Sequence, residues 1–161
     1  MYVQREAGES ARGLRIGVAV AQYHSDITDA LREAAIEVFT KADGKRDDLI
    51  IISVPGSFEL PPVCQAMANR DDLDAVVAIG CVIRGETTHD QHIAQATSQA
   101  LMQIMLDTGK PLGFGMLTCQ TKHQARARAG GESGNKGAEA MAAAIETVAA
   151  LRKLASIRER R

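Results

Sequence analysis

The sequence predicts an α/β protein with three layers, in which helices cover both faces of a four-stranded parallel sheet. Four short segments are continuously apolar and rich in Val and Ile, which is typical of strands buried on both faces of such a sheet. Segments with apolar residues at helical spacing separate these strands. Because strand and helix alternate along the chain, right-handed crossovers are expected to join parallel strands.

The strands are predicted at residues 14–20, 49–54, 74–83 and 111–118. The first helix is predicted at 25–41, where Ile27 and Leu31 share one face and Ser25 is placed to act as N-cap. Thr88 and Gln91 match a capping box, which predicts a helix from there to about residue 107. Further helices are expected at residues 61–68, near 121–129, and from 136 onward.

Composition limits the class of protein. A chain of 161 residues with 45% apolar and 24% charged residues is typical of one globular domain. We expect an extended segment at 1–13 and a single α/β domain at 14–161.

The net charge of −1 gives no basic field for nucleic acid, and no apolar run is long enough for a membrane helix. The first residues lack the apolar core of a signal peptide, and three widely spaced cysteines favour the reducing cytoplasm.

The residues just after each strand are the candidates for ligand binding, because ligands of open α/β sheets bind at the carboxyl ends of the strands. Tyr23 follows the first strand, and Ser57, Phe58 and Glu59 follow the second. The chain has only five aromatic residues, so two of them in these junctions are informative. From the residues alone, Tyr23 and Phe58 fit ligand contact and core packing equally well.

The third strand is followed by the junction RGETTH, which leads directly into a helix. Unpaired N–H groups at a helix start, together with Gly85 and the hydroxyls of Thr87 and Thr88, suit an anion such as phosphate. Simple helix capping by the threonines is the alternative and stays open at this point. His89 follows in the first turn and can act as a general acid and base near neutral pH.

No metal site is expected at His89 and His92, since no cluster of cysteine or acidic ligands accompanies them. His24 and His123 have no comparable context and are expected to be surface residues. The Gly-rich segment 125–137 contains Arg128, whose guanidinium can bind phosphate through two hydrogen bonds, although the segment taken alone favours an ordinary exposed loop.

Four motifs then carry a family resemblance: PGSFELP, GCVIRGETTH, GFGMLT and RAGGESGNKGAEA. In this order and spacing, over about residues 14–150, they resemble the 6,7-dimethyl-8-ribityllumazine synthase family. The resemblance implies a flavodoxin-like fold and pentamers whose active sites lie between subunits. It also implies that the N-terminal segment adds a strand to a neighbour's sheet. The implied reaction condenses 5-amino-6-(D-ribitylamino)uracil with 3,4-dihydroxy-2-butanone 4-phosphate, without any cofactor.

The resemblance also implies roles for the residues at matching positions. Tyr23 matches the aromatic that stacks on the heterocycle. The ribityl chain would be held by Ser57, Phe58 and Glu59, and the pyrimidine ring would be contacted by Cys81, Val82 and Ile83. The butanone phosphate would be bound by Glu86, Thr87 and Arg128. Phe114 matches a ring contributed across the subunit interface, Lys136 a lysine near the site, and His89 the catalytic histidine.

The chain also departs from the family pattern. Tyr23 stands where Phe or Trp is usual, and Asp90, Gln91 and His92 replace a more aromatic run, a change expected to affect packing. The segment 128–137 lacks the insertion of similar pentamer-only enzymes, which favours a 60-subunit icosahedral shell that could associate with riboflavin synthase. The alternatives are a related pentameric riboflavin synthase, whose substrate carries no phosphate, and a non-catalytic flavin-binding or shell-forming homologue.

Overall fold

A parallel sheet of four strands organises the computed structural model, which describes residues 8–158. Its strands are β1 (Ile16–Ala21), β2 (Leu49–Val54), β3 (Ala75–Ile83) and β4 (Leu112–Cys119). The helices are α1 (Ser25–Lys41), α2 (Leu60–Ala68), α3 (His89–Thr108), α4 (Lys122–Ala127) and α5 (Lys136–Arg158). Two 3-10 turns precede β2 and α2, and the short strands β5 (Ala129–Gly131) and β6 (Gly134–Asn135) form a hairpin before α5. Each predicted strand and helix is therefore present.

The strand order is β2-β1-β3-β4, with every pair parallel. The central strand β1 is buried along its whole length, as is β3 up to its last residue. The prediction of strands covered on both faces is wrong for the sheet edges in this protomer. Ile51 and Ile52 of β2 and Phe114 of β4 are exposed, because the helices of this protomer leave parts of the edge strands uncovered.

Two apolar clusters lie on the two faces of the sheet, which confirms the three-layer architecture. One cluster joins β1 and β3 to α1 and α5, with Phe39 and Met141 fully buried. The other joins the sheet to α2 and α3 through Leu60 and Leu101. Burying one such side chain contributes roughly 1.5–3 kcal/mol, so these clusters fix the helices against the sheet.

The helix starts differ in detail from their sequence signals. Ser25 is not the N-cap of α1, because His24 takes that position in a left-handed conformation with φ of 59°. Its carbonyl oxygen accepts hydrogen bonds from the N–H groups of Ile27 and Thr28 at 2.9 and 3.0 Å. Thr88 is the N-cap of α3, but its side chain makes no capping hydrogen bond, so the expected capping box is not formed.

The start of α5 has a side-chain cap that the sequence reading missed. The Oδ1 atom of Asn135 accepts hydrogen bonds from the N–H groups of Gly137 and Ala138 at 2.9 and 3.1 Å. Its Nδ2 atom donates to the carbonyl oxygen of Ala30 at 3.2 Å. One asparagine thus satisfies the helix start and ties α5 to α1.

Residues 1–7 lie outside the described residues, so the extended segment and its addition to a neighbour's sheet stay predictions. The described part of this segment packs on its own protomer. The N–H of Ala11 donates to the carbonyl oxygen of Ala42 at 2.6 Å, and Lys153 donates to Glu9 at 2.6 Å. Within residues 8–158, no helix combines the length and apolar character needed to cross a membrane.

Gly137 is required where α5 crosses α1. A Cβ atom at this position would collide with the backbone of Leu31, lying 2.6 Å from its carbonyl carbon. Backbone atoms cannot rotate away as a side chain can, so the two helices would have to separate.

We expect Gly137→Ala to lower the free energy of unfolding by about 3 kcal/mol, the upper end for overpacking. Gly85→Ala is the matched control, because nothing lies within 4 Å of a Cβ built there. Its free energy of unfolding should stay within about 0.5 kcal/mol of the parent value. Urea denaturation followed by circular dichroism measures both, and equal stability of the two variants would contradict the assigned close approach.

Candidate active site

A cavity of about 780 Å³ opens at the carboxyl ends of β1, β2 and β3, beside the start of α3. Most of the residues expected to contact the heterocycle and the ribityl chain, or to transfer protons, line this cavity. These lining residues are Tyr23, Ser57, Phe58, Glu59, Cys81, Val82, Ile83, Thr87 and His89. The order β2-β1-β3 explains this grouping, because adjacent parallel strands place their carboxyl ends at one edge of the sheet.

Two aromatic side chains stand at the rim of this cavity. Tyr23 is 69% exposed and Phe58 is 59% exposed. Core packing, the alternative reading of both residues, is therefore wrong in this protomer. Exposed rings beside a cavity offer flat apolar faces on which a planar heterocycle can stack.

Ser57 is held at the floor of the cavity. It is buried, and its backbone carbonyl accepts a hydrogen bond from Thr97 Oγ1 of α3 at 3.3 Å. Its Oγ would lie only 2.5 Å from a Cβ at position 80, so Gly80 makes room for it. The Ser57 Oγ atom has no hydrogen-bond partner among the described residues. A buried hydroxyl without a partner in the protein is available to a ligand.

His89 is the first residue of α3 and lines the cavity with an exposed side chain. Its N–H donates to Thr87 Oγ1 at 3.4 Å, so the Thr87 hydroxyl is engaged at the helix start. Glu86, which precedes Thr87, is exposed and does not line the cavity. The N–H groups of His89 and Gln91 have acceptors at Thr87 Oγ1 and the Thr88 carbonyl oxygen, so it is the partial positive charge of the helix start that favours an anion next to His89.

The cavity also contains residues that sequence reasoning did not assign. His24 is exposed, as expected of a surface residue, but it also lines this cavity, which was not expected. Its position directly after Tyr23 at a strand end was a signal that could have placed it there. His92 and Asp90 line the same cavity from the first turns of α3.

Arg128 and Lys136 lie elsewhere in the protomer. Both line a second cavity of about 490 Å³, formed by the end of β4, α4 and the β5–β6 hairpin. The Lys136 N–H donates to the Arg128 carbonyl oxygen at 2.9 Å, which joins the two positions. Phe114 is 42% exposed and lines a third, apolar cavity with Met102 and Met105 of α3. One protomer therefore does not bring these three residues to the cavity that contains His89.

Ion pairs fix α4, the helix that leads to Arg128. Asp26 at the start of α1 pairs with Lys122 at 3.1 Å and with Arg126 at 3.3 Å. The hydrogen bond from Lys122 is the largest cause that lowers the pKa of Asp26. These pairs place the second cavity next to α1.

The three cysteines are free and buried. Burial raises the pKa of Cys64 and of Cys81 to about 12, and it also raises the pKa of Cys119. The thiol of Cys81, on the cavity wall, is therefore protonated at neutral pH and acts as apolar surface there.

A parallel α/β sheet with its cavity at the strand ends defines a ligand-binding protein of the flavodoxin-like class. The chain belongs to the 6,7-dimethyl-8-ribityllumazine synthase family, whose model matches residues 13–152. A 6,7-dimethyl-8-ribityllumazine synthase of Thermus thermophilus is 48% identical over 139 residues, covering 86% of this chain and 88% of the relative. The 6,7-dimethyl-8-ribityllumazine synthase of Streptomyces coelicolor is 43% identical, over 88% of this chain and 87% of the relative. The enzyme of Aquifex aeolicus is 41% identical, over 85% of this chain and 89% of the relative.

The buried thiols predict slow chemical modification. At pH 8 a thiol with a pKa near 12 is ionised in only about one molecule in 10⁴, and the thiolate is the reactive form. We expect DTNB to modify the native protein at least about 100-fold more slowly than the protein unfolded in guanidinium. Because the pKa values are raised, the native rate should keep rising as the pH increases from 8 to 10. Rapid modification of three thiols per chain in the native protein would contradict this prediction.

Proposed function

We propose that this chain condenses 5-amino-6-(D-ribitylamino)uracil with 3,4-dihydroxy-2-butanone 4-phosphate to 6,7-dimethyl-8-ribityllumazine. Phosphate and water are released. The observation that carries the proposal is the placement of Tyr23, Ser57, Glu59 and His89 around one cavity in a chain of this family. Members of the family transfer a four-carbon unit in riboflavin biosynthesis, which makes this protein a transferase.

The cavity suits the pyrimidine substrate. The ring of Tyr23 gives a stacking face, and the end of β3 gives apolar surface from Cys81 to Ile83 at the ring edge. Ser57 and Glu59 offer a hydroxyl and a carboxylate to the hydroxyls of the ribityl chain. With a volume of about 780 Å³, the cavity has the size of a small-molecule site.

His89 is proposed to move the protons of the reaction. Imine formation, elimination of phosphate and ring closure each transfer a proton, and an imidazole at the cavity wall can give or accept one near neutral pH. The start of α3, with Glu86 and Thr87 just before it, is proposed to receive the butanone phosphate. Phosphate then leaves from a site where helix N–H groups stabilise its negative charge.

The remaining residues are proposed to come from a neighbouring subunit. Arg128, Lys136 and Phe114 lie outside the cavity of His89 in one protomer, and Phe114, Met102 and Leu106 are exposed apolar side chains on β4 and α3. A second copy that covers this surface would bring its own set of these residues toward a facing cavity. We propose a pentamer, and the short segment 128–137 favours a 60-subunit shell. Location in the cytoplasm and association with riboflavin synthase remain predictions.

The two alternatives are less well supported. A pentameric riboflavin synthase would bind two lumazines without phosphate, and a non-catalytic homologue would have no use for His89 in its cavity. The match over residues 13–152 is to the lumazine synthase family, which favours neither of them.

We expect the purified protein to form lumazine absorbance when both substrates are mixed, and His89→Ala to lower kcat by about 100-fold or more. The affinity of the pyrimidine substrate should change less than kcat, because binding rests mainly on other residues. Gln91→Ala, an exposed change in the same helix turn, serves as the control. If the parent protein forms no product, the proposed function is refuted. An unchanged rate in His89→Ala would refute only the role proposed for His89.

A mixing experiment tests whether the site is shared. Arg128→Ala should raise the KM for the butanone phosphate far more than for the pyrimidine, because a guanidinium–phosphate contact is lost. Subunits of His89→Ala and Arg128→Ala, unfolded together and reassembled in equal amounts, should recover about a quarter of the sites if they mix at random. Each variant reassembled alone is the control. Recovery no greater than the sum of the two controls would place both residues in one protomer's site.

A further inference from the structure

Asp90 is a buried acidic residue, and one of its carboxyl oxygens has no hydrogen-bond partner among the described residues. The residue is 8% exposed, and the oxygen in question is Oδ1. Asp74 shows the usual arrangement: its Oδ2 accepts from the Arg15 N–H at 2.8 Å, and its Oδ1 accepts from Arg152 at 2.7 Å. An unsatisfied buried carboxylate oxygen is costly, so its persistence requires a reason.

The helix start explains only part of how the buried Asp90 side chain is tolerated. Asp90 lies in the first turn of α3, where the partial positive charge of the helix favours an acidic side chain. That field acts on the charge as a whole and gives no donor to Oδ1. A molecule bound next to Asp90 can supply this donor.

The location of Asp90 indicates what that donor is. Asp90 lines the 780 Å³ cavity together with His89 and Ser57. The Ser57 Oγ atom is the other side-chain atom lining this cavity that is buried without a partner among residues 8–158. Two unsatisfied polar groups in one cavity suit a ligand that carries several O–H and N–H groups.

We propose that Asp90 determines specificity for the pyrimidine substrate by accepting a hydrogen bond from one of its O–H or N–H groups. This inference rests on the proposed function. The pyrimidine substrate carries a polyol chain and amino groups and has no phosphate, so a carboxylate attracts it without charge repulsion. The butanone phosphate is an anion, and Asp90 is unfavourable to it at close range.

Asp90 therefore differs from the packing role expected of it from the sequence. It stands in the run 90–92 that replaces the more aromatic residues of the resembling family. An aromatic side chain here would satisfy burial but could accept no such hydrogen bond. The contact to the substrate is thus a property of this chain's own residue.

The test is equilibrium binding of 5-amino-6-(D-ribitylamino)uracil alone, followed by steady-state kinetics with both substrates. We expect Asp90→Ala to weaken pyrimidine binding by about tenfold or more, because a hydrogen bond to a charged group is lost. Asp90→Asn should weaken it less, since the amide keeps one acceptor. The KM for the butanone phosphate should not rise in either variant, because both remove a negative charge near the start of α3, where the phosphate is proposed to bind. Gln91→Ala, exposed in the same turn and outside the cavity lining, is the matched control.

Thermal unfolding of the ligand-free protein separates recognition from a structural role. Because Oδ1 has no partner to lose, Asp90→Ala and Asp90→Asn should unfold at or above the parent Tm. Unchanged pyrimidine binding in Asp90→Ala would overturn the proposal. A change of oligomeric state by light scattering with unchanged binding would also overturn it, since the donor would then belong to a neighbouring copy.

If Asp90→Ala does not fold, the binding constant of Asp90→Asn decides, and parent-like affinity for the pyrimidine overturns the proposal. The binding measurement needs no turnover, so it stands apart from the proposed reaction. A parent protein that binds the pyrimidine but makes no lumazine would refute the proposed function and leave the Asp90 contact intact.

Discussion

Burial of the two central strands on both faces is the constraint on which the rest of this structure depends. Every side chain of β1 is buried, and β3 is buried up to Ile83. Such strands cannot carry unpaired polar groups along their length. Polar side chains that bind a ligand are therefore found where the backbone leaves the sheet. In the sequence, the abrupt change from apolar to polar residues at Arg84 marks the point where β3 leaves the sheet. The cavity lies at this boundary because parallel strands bring several such ends together.

This constraint explains how much of the fold could be read from the sequence. Continuous apolar runs indicate strands and apolar residues at helical spacing indicate helices, which is why both lie close to their predicted bounds. Edge strands have the same composition as central ones, so the exposure of Ile52 and Phe114 could not be read from them. Helix caps were predicted poorly, because Ser25 and Thr88 have the right chemistry while backbone geometry decides which atoms bond. The N-cap Asn135 follows a glycine in a Gly-rich segment, where the sequence signals of a cap and of a simple turn look alike.

The candidate site, like the fold, was only partly predictable from the sequence. Residues at strand ends were assigned to the cavity from local physics and a family resemblance together, and Tyr23, Glu59 and His89 do lie around it. The sequence could not show that Arg128 and Lys136 line a different cavity of the protomer, because such positions depend on tertiary packing. Nor could it show that Asp90 is buried, since an acidic residue in a first helix turn is most often a solvated one. Burial of a charge is a property of the fold.

The unsatisfied groups of the cavity connect stability with function. A folded chain that leaves the Ser57 hydroxyl and one Asp90 oxygen without partners is less stable than one with apolar residues there. That loss is tolerable because the two large clusters on either face of the sheet supply the stability of the domain. A ligand that provides the missing donors and acceptors forms these hydrogen bonds without an internal bond of the protein being broken first. The buried central strands thus make it possible for the protein to keep polar groups ready for a substrate at the carboxyl end of the sheet.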